Sequence, residues 1–135
     1  MVIQQISVFL ENKPGQLSEL INTLAAKNIN LNALSIAENA EYGVVRFTVD
    51  ADITDSTALF LTSEGWICNR NHVLAVNVPD SPGSLVKILD VLAANGLSIL
   101  YTYATISELE GHVCLIMRFD DNEKAIEVLK EAGIE

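Results

Sequence analysis

The first half of this chain recurs 68 positions further on. Glu11-Asn-Lys-Pro-Gly-Gln-Leu17 returns as Pro79-Asp-Ser-Pro-Gly-Ser-Leu85, Leu24-Ala25-Ala26 as Leu92-Ala93-Ala94, Gly43 as Gly111 and Gly65 as Gly133. A fixed offset with no gap over a whole half-chain marks a duplication. The 135 residues therefore divide into two copies of one small unit, 1–70 and 71–135. Units of this length lie near the size at which a lone core becomes marginal, so each copy is expected to gain stability from the other.

Half of the residues are hydrophobic and 19% are charged, the balance of a well-cored globular protein and not of a disordered tail. The formal net charge of −10 opposes the basic footprint that nucleic-acid binding needs, and it disfavours adhesion to an anionic membrane. The start of the chain, Met1-Val-Ile-Gln-Gln-Ile, alternates polar and apolar residues, unlike a signal peptide. No apolar run reaches membrane-spanning length. Cys68 and Cys114 form no C-x-x-C pair and read as small buried hydrophobes in a reducing compartment. A soluble, cytoplasmic protein is expected.

Ile6, Val8 and Leu10 recur at the strand period, and Pro14-Gly15 breaks the pattern. Leu17, Leu20, Ile21 and Leu24 then follow at helical spacing. A second strand is expected over 29–37, a hairpin connection over Glu38–Gly43, and a third strand over 44–50. Asp55 or Ser56 would cap a second helix that Gly65 ends, and 66–70 reads as a short fourth strand. The second copy repeats the order, with strands over 72–78, 97–106 and 113–119 and helices over 85–94 and 123–132. This is an α+β chain of two ferredoxin-like βαββαβ units in tandem, each an antiparallel sheet with its helices on one face. After the last helix only Gly133-Ile134-Glu135 remains, too short for a full fourth strand. The first and fourth strands are neighbours in this fold, so an unpaired edge is expected along His72–Val78. Such an edge invites a partner strand and predicts a homo-oligomer, a dimer.

The chemistry concentrates in the turn [Asn/Asp]-x-Pro-Gly-x-Leu that precedes the first helix of each copy. Proline is tolerated in a first helical turn, and glycine lets the backbone bend and leaves room for close approach. The amides of Gly15, Gln16 and Leu17, and those of Gly83, Ser84 and Leu85, would then face an anion such as a carboxylate. Asn12 with Pro14 and Asp80 with Pro82 flank these positions. A plain capped turn fits the same residues. Asn30 and Asn32 stand at the start of the second strand, where asparagine is disfavoured unless it is solvated or holds a ligand. Their counterparts are Ser98 and Leu100, so the two copies are not chemically equivalent. Tyr101 and Tyr103 share a face in the second copy and fit a pocket wall or ordinary packing equally.

These residues resemble the ACT domain, a small regulatory module. The turn is followed by Leu17, Leu20, Leu24-Ala25 and Asn28-Ile-Asn-Leu31, and again by Leu85, Ile88, Leu92-Ala93 and Gly96-Leu-Ser-Ile99. The resemblance covers both copies and implies a stand-alone tandem that binds an amino acid or similar metabolite where two ACT units meet. The turn of one unit would face the second strand of its neighbour, joining 12–17 to 97–103 and 80–85 to 29–34. In serine-binding relatives, one asparagine in the turn and another at the start of strand two hold the ligand, which Asn12 and Asn30 match. The histidine those relatives carry two residues before the turn asparagine is absent, since Leu10 stands there and Val78, Asp80 and Ser98 occupy the second copy's positions.

Other members of this topology are excluded by their sites and not by their fold. Neither turn has the C-x-x-C of ferredoxin-like metal carriers or the arginine of acylphosphatase, and the strand-face aromatics and basic surface of RNA-recognition domains are missing. His72 and His112 have no partner at metal-ligand spacing, so neither metal nor cofactor is expected. No nucleophile–base pattern, phosphate loop or paired carboxylate stands out, and Ser81 reads as a helix cap. The expected function is a non-enzymatic, amino-acid-binding regulator that signals allosterically to a separate metabolic enzyme. The alternative is a structural subunit that docks on an enzyme without binding a ligand.

Overall fold

The apolar alternation in the sequence becomes one side of a sheet in each repeat. A computed structural model of the chain describes residues 2–38 and 42–134. These form strands β1 (Val2–Glu11), β2 (Ala33–Glu38), β3 (Tyr42–Thr48), β4 (Ile67–Pro79), β5 (Ile99–Ile106) and β6 (His112–Phe119). Helices α1 (Gln16–Ala26), α2 (Thr54–Ser63), α3 (Ser84–Ala94) and α4 (Asn122–Glu131) lie between them, and a 3-10 turn, Ala51–Ile53, leads into α2. Of the expected hairpin connection, residues 39–41 lie outside the described residues.

Two compact units emerge. The first is Gln4–Asn71; the second is His72–Glu135 together with Met1–Ile3. Strand order is β2-β3-β1-β4 in the first unit and β1-β4-β6-β5 in the second. All registered pairs are antiparallel. In the first unit Ile6 and Val8 stand opposite Phe47 and Val45, and α1 adds Leu20 and Leu24 while α2 adds Ala58 and Leu61. In the second, Leu74 and Val76 oppose Met117 and Leu115 under Ile88 and Leu92 of α3 and Ala125, Val128 and Leu129 of α4. Each fully buried valine, leucine, isoleucine, phenylalanine or methionine among them contributes about 1.5–3 kcal/mol of burial free energy.

Three expectations are corrected. The second strand starts at Ala33 and not at Ile29. Asn28 closes α1 with φ 56°, its N–H donating to Ala25 O and that of Ile29 to Leu24 O, a Schellman ending. Ile29 and Leu31 still pack on the core, so a core-packed loop carries the apolar alternation of a strand. Helix α2 begins after Ile53 with no side-chain cap, and the Ser56 hydroxyl donates back to Ile53 O.

The third correction concerns the edge. The segments 66–70 and 72–78 are one continuous strand, β4, because Asn71 stays extended and its side chain accepts a 2.7 Å hydrogen bond from Ser7 Oγ. No strand follows α4 among the described residues, as expected, yet β4 lies between β1 and β6. The first residues of β1 belong to the same unit as His72–Pro79. β4 is therefore not an edge strand, and the inference of a dimer from an open edge along His72–Val78 loses its ground. The outermost strands are β2 in the first unit and β5 in the second.

Candidate functional site

The repeated turn has the same geometry in both units. Gln16 N–H donates to Lys13 O at 3.4 Å and Ser84 N–H to Ser81 O at 3.3 Å. Between them Gly15 has φ 89° and ψ −12°, and Gly83 has φ 86° and ψ −7°. These are type II β-turns, in which proline presets the second position and glycine supplies the positive φ of the third. Pro14 and Pro82 therefore precede the helix and do not sit in its first turn, and the turn type alone accounts for both Pro-Gly pairs. One residue earlier the chain bends again, as Lys13 N–H donates to Glu11 O and Ser81 N–H to Pro79 O. Asn12 and Asp80 stand at the centres of these bends.

Gly15 and Gly83 are the Ncap residues of α1 and α3, and neither helix start has a side-chain cap. Ser81 does not cap α3; its Oγ lies 2.9 Å from Ser84 Oγ. A helix start leaves its first N–H groups without intrahelical acceptors and carries the positive end of the helix dipole. Asn12, Pro14, Gly15, Asp80, Pro82, Gly83 and Leu85 are exposed, and Gln16, Leu17 and Ser84 are half-buried. The chemistry beside the turns differs. Lys13 pairs with Glu11, whose carboxylate raises the ammonium above its ordinary value by hydrogen bond and charge. Asp80 puts a carboxylate at the equivalent of Asn12, with its N–H on Gly111 O.

The second group of expected residues lies elsewhere. Asn30 and Asn32 are exposed in the loop before β2 and not in the strand. Asn32 is committed locally: its N–H donates to Thr48 O at 2.9 Å and its Nδ2 to Asp50 Oδ1 at 3.0 Å. Ser98 is likewise tied to Asp120, through its N–H to Oδ1 and its carbonyl oxygen to Asp120 N–H, both at 3.2 Å. Tyr101 and Tyr103 are half-buried on β5, opposite Arg118 and Ile116.

Register separates the two groups within a unit. Leu10 and Glu38 both face Gly43, whereas Ala33 faces Thr48. The turn and the start of β2 thus lie at opposite ends of the sheet, about 17 Å apart along β3. In the second unit Val78 and Ile106 share Val113, and Ile99 faces Phe119, a separation of about 20 Å along β6. Asn12 and Asn30 of one unit do not meet on a small ligand.

Residues that sequence reasoning passed over do adjoin the turns. Tyr42 pairs with Glu11, and its ring centroid lies 6.4 Å from that of Phe9. His112 pairs with Pro79, and its Nδ1 lies 2.9 Å from Glu110 O. Only the strand register reveals these neighbours, through the hairpin offset. A groove of about 730 Å³ opens from Gly15 along α1, past Ser18, Asn22 and Lys27, to Phe60 and Glu64 of α2. The Lys27 ammonium sits 5.0 Å from the Phe60 ring centroid. Among the described residues, no three His, Cys, Asp or Glu side chains gather to hold a metal ion. Cys68 and Cys114 are half-buried free thiols, and burial raises Cys114 above the usual thiol range. No described helix is long and apolar enough to cross a membrane.

Comparison with known proteins decides the family. The sequence profile of the ACT domain pair matches residues 1–135. This chain belongs to the ACT domain family. The ACT pair is 38% identical to a protein of Bacteroides thetaiotaomicron whose crystal structure superposes with a TM-score of 0.91, covering 100% of this chain and 91% of that one. It also shares its fold with the regulatory subunit of aspartate kinase from Thermus thermophilus, at 18% identity, TM-score 0.66 and coverage of 98% and 97%. The Thermus flavus subunit aligns at 17% identity, TM-score 0.69 and coverage of 96% and 92%. Among curated proteins, none matches the chain.

Proposed function

We propose that this ACT pair is a non-catalytic, cytoplasmic regulatory protein that binds an amino acid and passes its occupancy to a separate metabolic enzyme. The observation that carries this reading is the uncapped helix start behind a type II turn, built twice with matching geometry. Outward amides at the positive end of a helix suit a carboxylate, and glycine keeps the approach clear. The opposite-end placement of the turn and the second strand supports a ligand closed on its other side by a further ACT unit. Regulation would be a population shift: the ligand favours one arrangement, and the enzyme reads it. That similar folds serve as regulatory subunits of aspartate kinase supports the role without naming the amino acid or the enzyme.

A second reading, a docking subunit without a ligand, has its own support. The turn type explains Pro-Gly without a ligand, and the positions where relatives carry histidine hold Leu10 and Val78, each 7% exposed and part of the core. Calorimetric titration with each of the twenty amino acids separates the two. One saturable binder at a stoichiometric ratio is expected; no heat from any of them leaves the docking subunit.

The protein is further proposed to be a homodimer, now from the outer strands. On β2, Leu34 and Ile36 are 46% and 48% exposed, and on β5 Ile106 is 93% exposed, apolar side chains along unpaired edges. Light scattering at micromolar concentration should give twice the 14.7 kDa chain mass. A single-chain mass would end the dimer proposal.

A further inference from the structure

The chain has a single Asn-Gly pair, Asn95-Gly96, and it stands at the end of α3 in the second unit. Both residues are exposed. Asparagine before glycine is open to succinimide chemistry, because glycine puts no β-carbon beside its own backbone nitrogen. Asn95 closes the helix with φ −104° and ψ 10°, and Gly96 follows with φ 68°. Gly96 N–H donates to Ala93 O at 3.1 Å and Leu97 N–H to Leu92 O at 3.0 Å, a Schellman ending. Leu92 and Leu97 both belong to the second unit's core and pin that ending. The Asn95 side chain completes it, its Nδ2 donating to Val91 O, one of the last carbonyls of the helix, at 2.8 Å. We propose that Asn95-Gly96 is a deamidation site whose rate is set by this cap.

In the first step the Gly96 nitrogen attacks Asn95 Cγ. The N–Cγ bond forms, the Cγ–Nδ2 bond breaks, and the side-chain nitrogen leaves as ammonia with the proton that Gly96 gives up. Water then opens the cyclic succinimide at either carbonyl, giving aspartate or isoaspartate at position 95. The cap opposes the first step twice. The bond to Val91 O draws the side-chain amide back along the helix, and the bond to Ala93 O occupies the nitrogen that must attack. Reaction therefore waits for the last turn to fray, a local opening of low cost at an exposed helix end. The product cannot restore what was lost. A carboxylate has no proton to donate to Val91 O, and it sets negative charge at the negative end of the helix dipole. Isoaspartate adds a main-chain carbon between positions 95 and 96 and breaks the register of both Schellman bonds. Each conversion leaves the end of α3 open. The first copy is spared: Lys27 and Asn28 hold the matching positions in the same ending, and the β-branched Ile29 shields the nitrogen after Asn28.

Peptide mapping by mass spectrometry follows the protein through incubation at neutral pH, folded and again in urea. Position 95 should convert ahead of every other asparagine, and at least about tenfold faster in urea than in the folded state. Leu97→Ala removes the packing that pins the cap and should raise the folded-state rate at least about tenfold. Should that variant fail to fold, the urea comparison on the parent still decides. Asn95→Asp copies one product and should speed amide exchange at Gly96 and Leu97 about tenfold, from the lost hydrogen bond and the opposed dipole together. Equal rates in folded and unfolded protein, or unchanged exchange in Asn95→Asp, would overturn the role of the cap. Conversion at another asparagine first, or at none, would overturn the site.

Discussion

Phe47→Ala should destabilise the first unit by about 3–5 kcal/mol, the range for an aromatic removed from a core that cannot fully collapse. Phe47 is wholly buried and is the largest such side chain, set on β3 between Ile6 of β1 and Leu34 of β2. A unit of this size has a total stability of only roughly 3–10 kcal/mol, so the loss consumes much of it. The single tryptophan, Trp66, packs against the same core and reports it directly. In urea, the tryptophan transition should move to a much lower midpoint with little change in slope. Met117→Ala, the matching truncation in the second unit, should cost about 2–5 kcal/mol. A shift below about 1 kcal/mol for Phe47→Ala would mean that Phe47 is not the centre of that core.

What the sequence made legible follows from what a repeat and a period can encode. Ile6, Val8 and Leu10, or Leu20 and Leu24, advertise their faces because strand and helix periods are local. The duplication made the βαββαβ order visible twice, and the Pro-Gly motif marked the turn before each first helix. Three features escaped for stated reasons. A proline followed by glycine has two uses, first helical turn or type II turn, and only the Lys13–Gln16 and Ser81–Ser84 hydrogen bonds separate them. Asn28 takes the left-handed conformation that Gly96 takes in the second copy, and this turns an apolar alternation into a loop. Strand β4 has β1 as a neighbour, a long-range pairing that no local pattern announces. The candidate site divides in the same way: the turn was readable, while its neighbours Tyr42 and His112 depend on strand register.

Gly15→Val should abolish amino-acid binding at the first turn, weakening it by roughly 100-fold or more, while the protein still folds. The turn holds φ at 89°, and a β-carbon placed there meets nothing within 4 Å. The cost to the fold is therefore conformational, about 1–2 kcal/mol for a side chain forced left-handed, and not a clash. The cost to binding is larger, because valine fills the space beside its own amide and that of Leu17, Gln16 N–H being held by Lys13 O. Loss of two hydrogen bonds to a charged carboxylate, at about 1.5–3 kcal/mol each, gives that factor. Gly15→Ala carries the same strain with a smaller obstruction and should fall between valine and the parent. Gly83→Val sits at φ 86° and should cost the same stability, so any difference in binding between the two valine variants belongs to the site and not to the fold. The second turn carries Asp80 where the first carries Asn12, and a carboxylate there repels a carboxylate ligand. Binding measured by the calorimetry above should thus vanish in Gly15→Val and persist in Gly83→Val, while the reverse result would move the ligand to the second turn. Full affinity in both folded variants would remove the Pro-Gly turns from the site altogether.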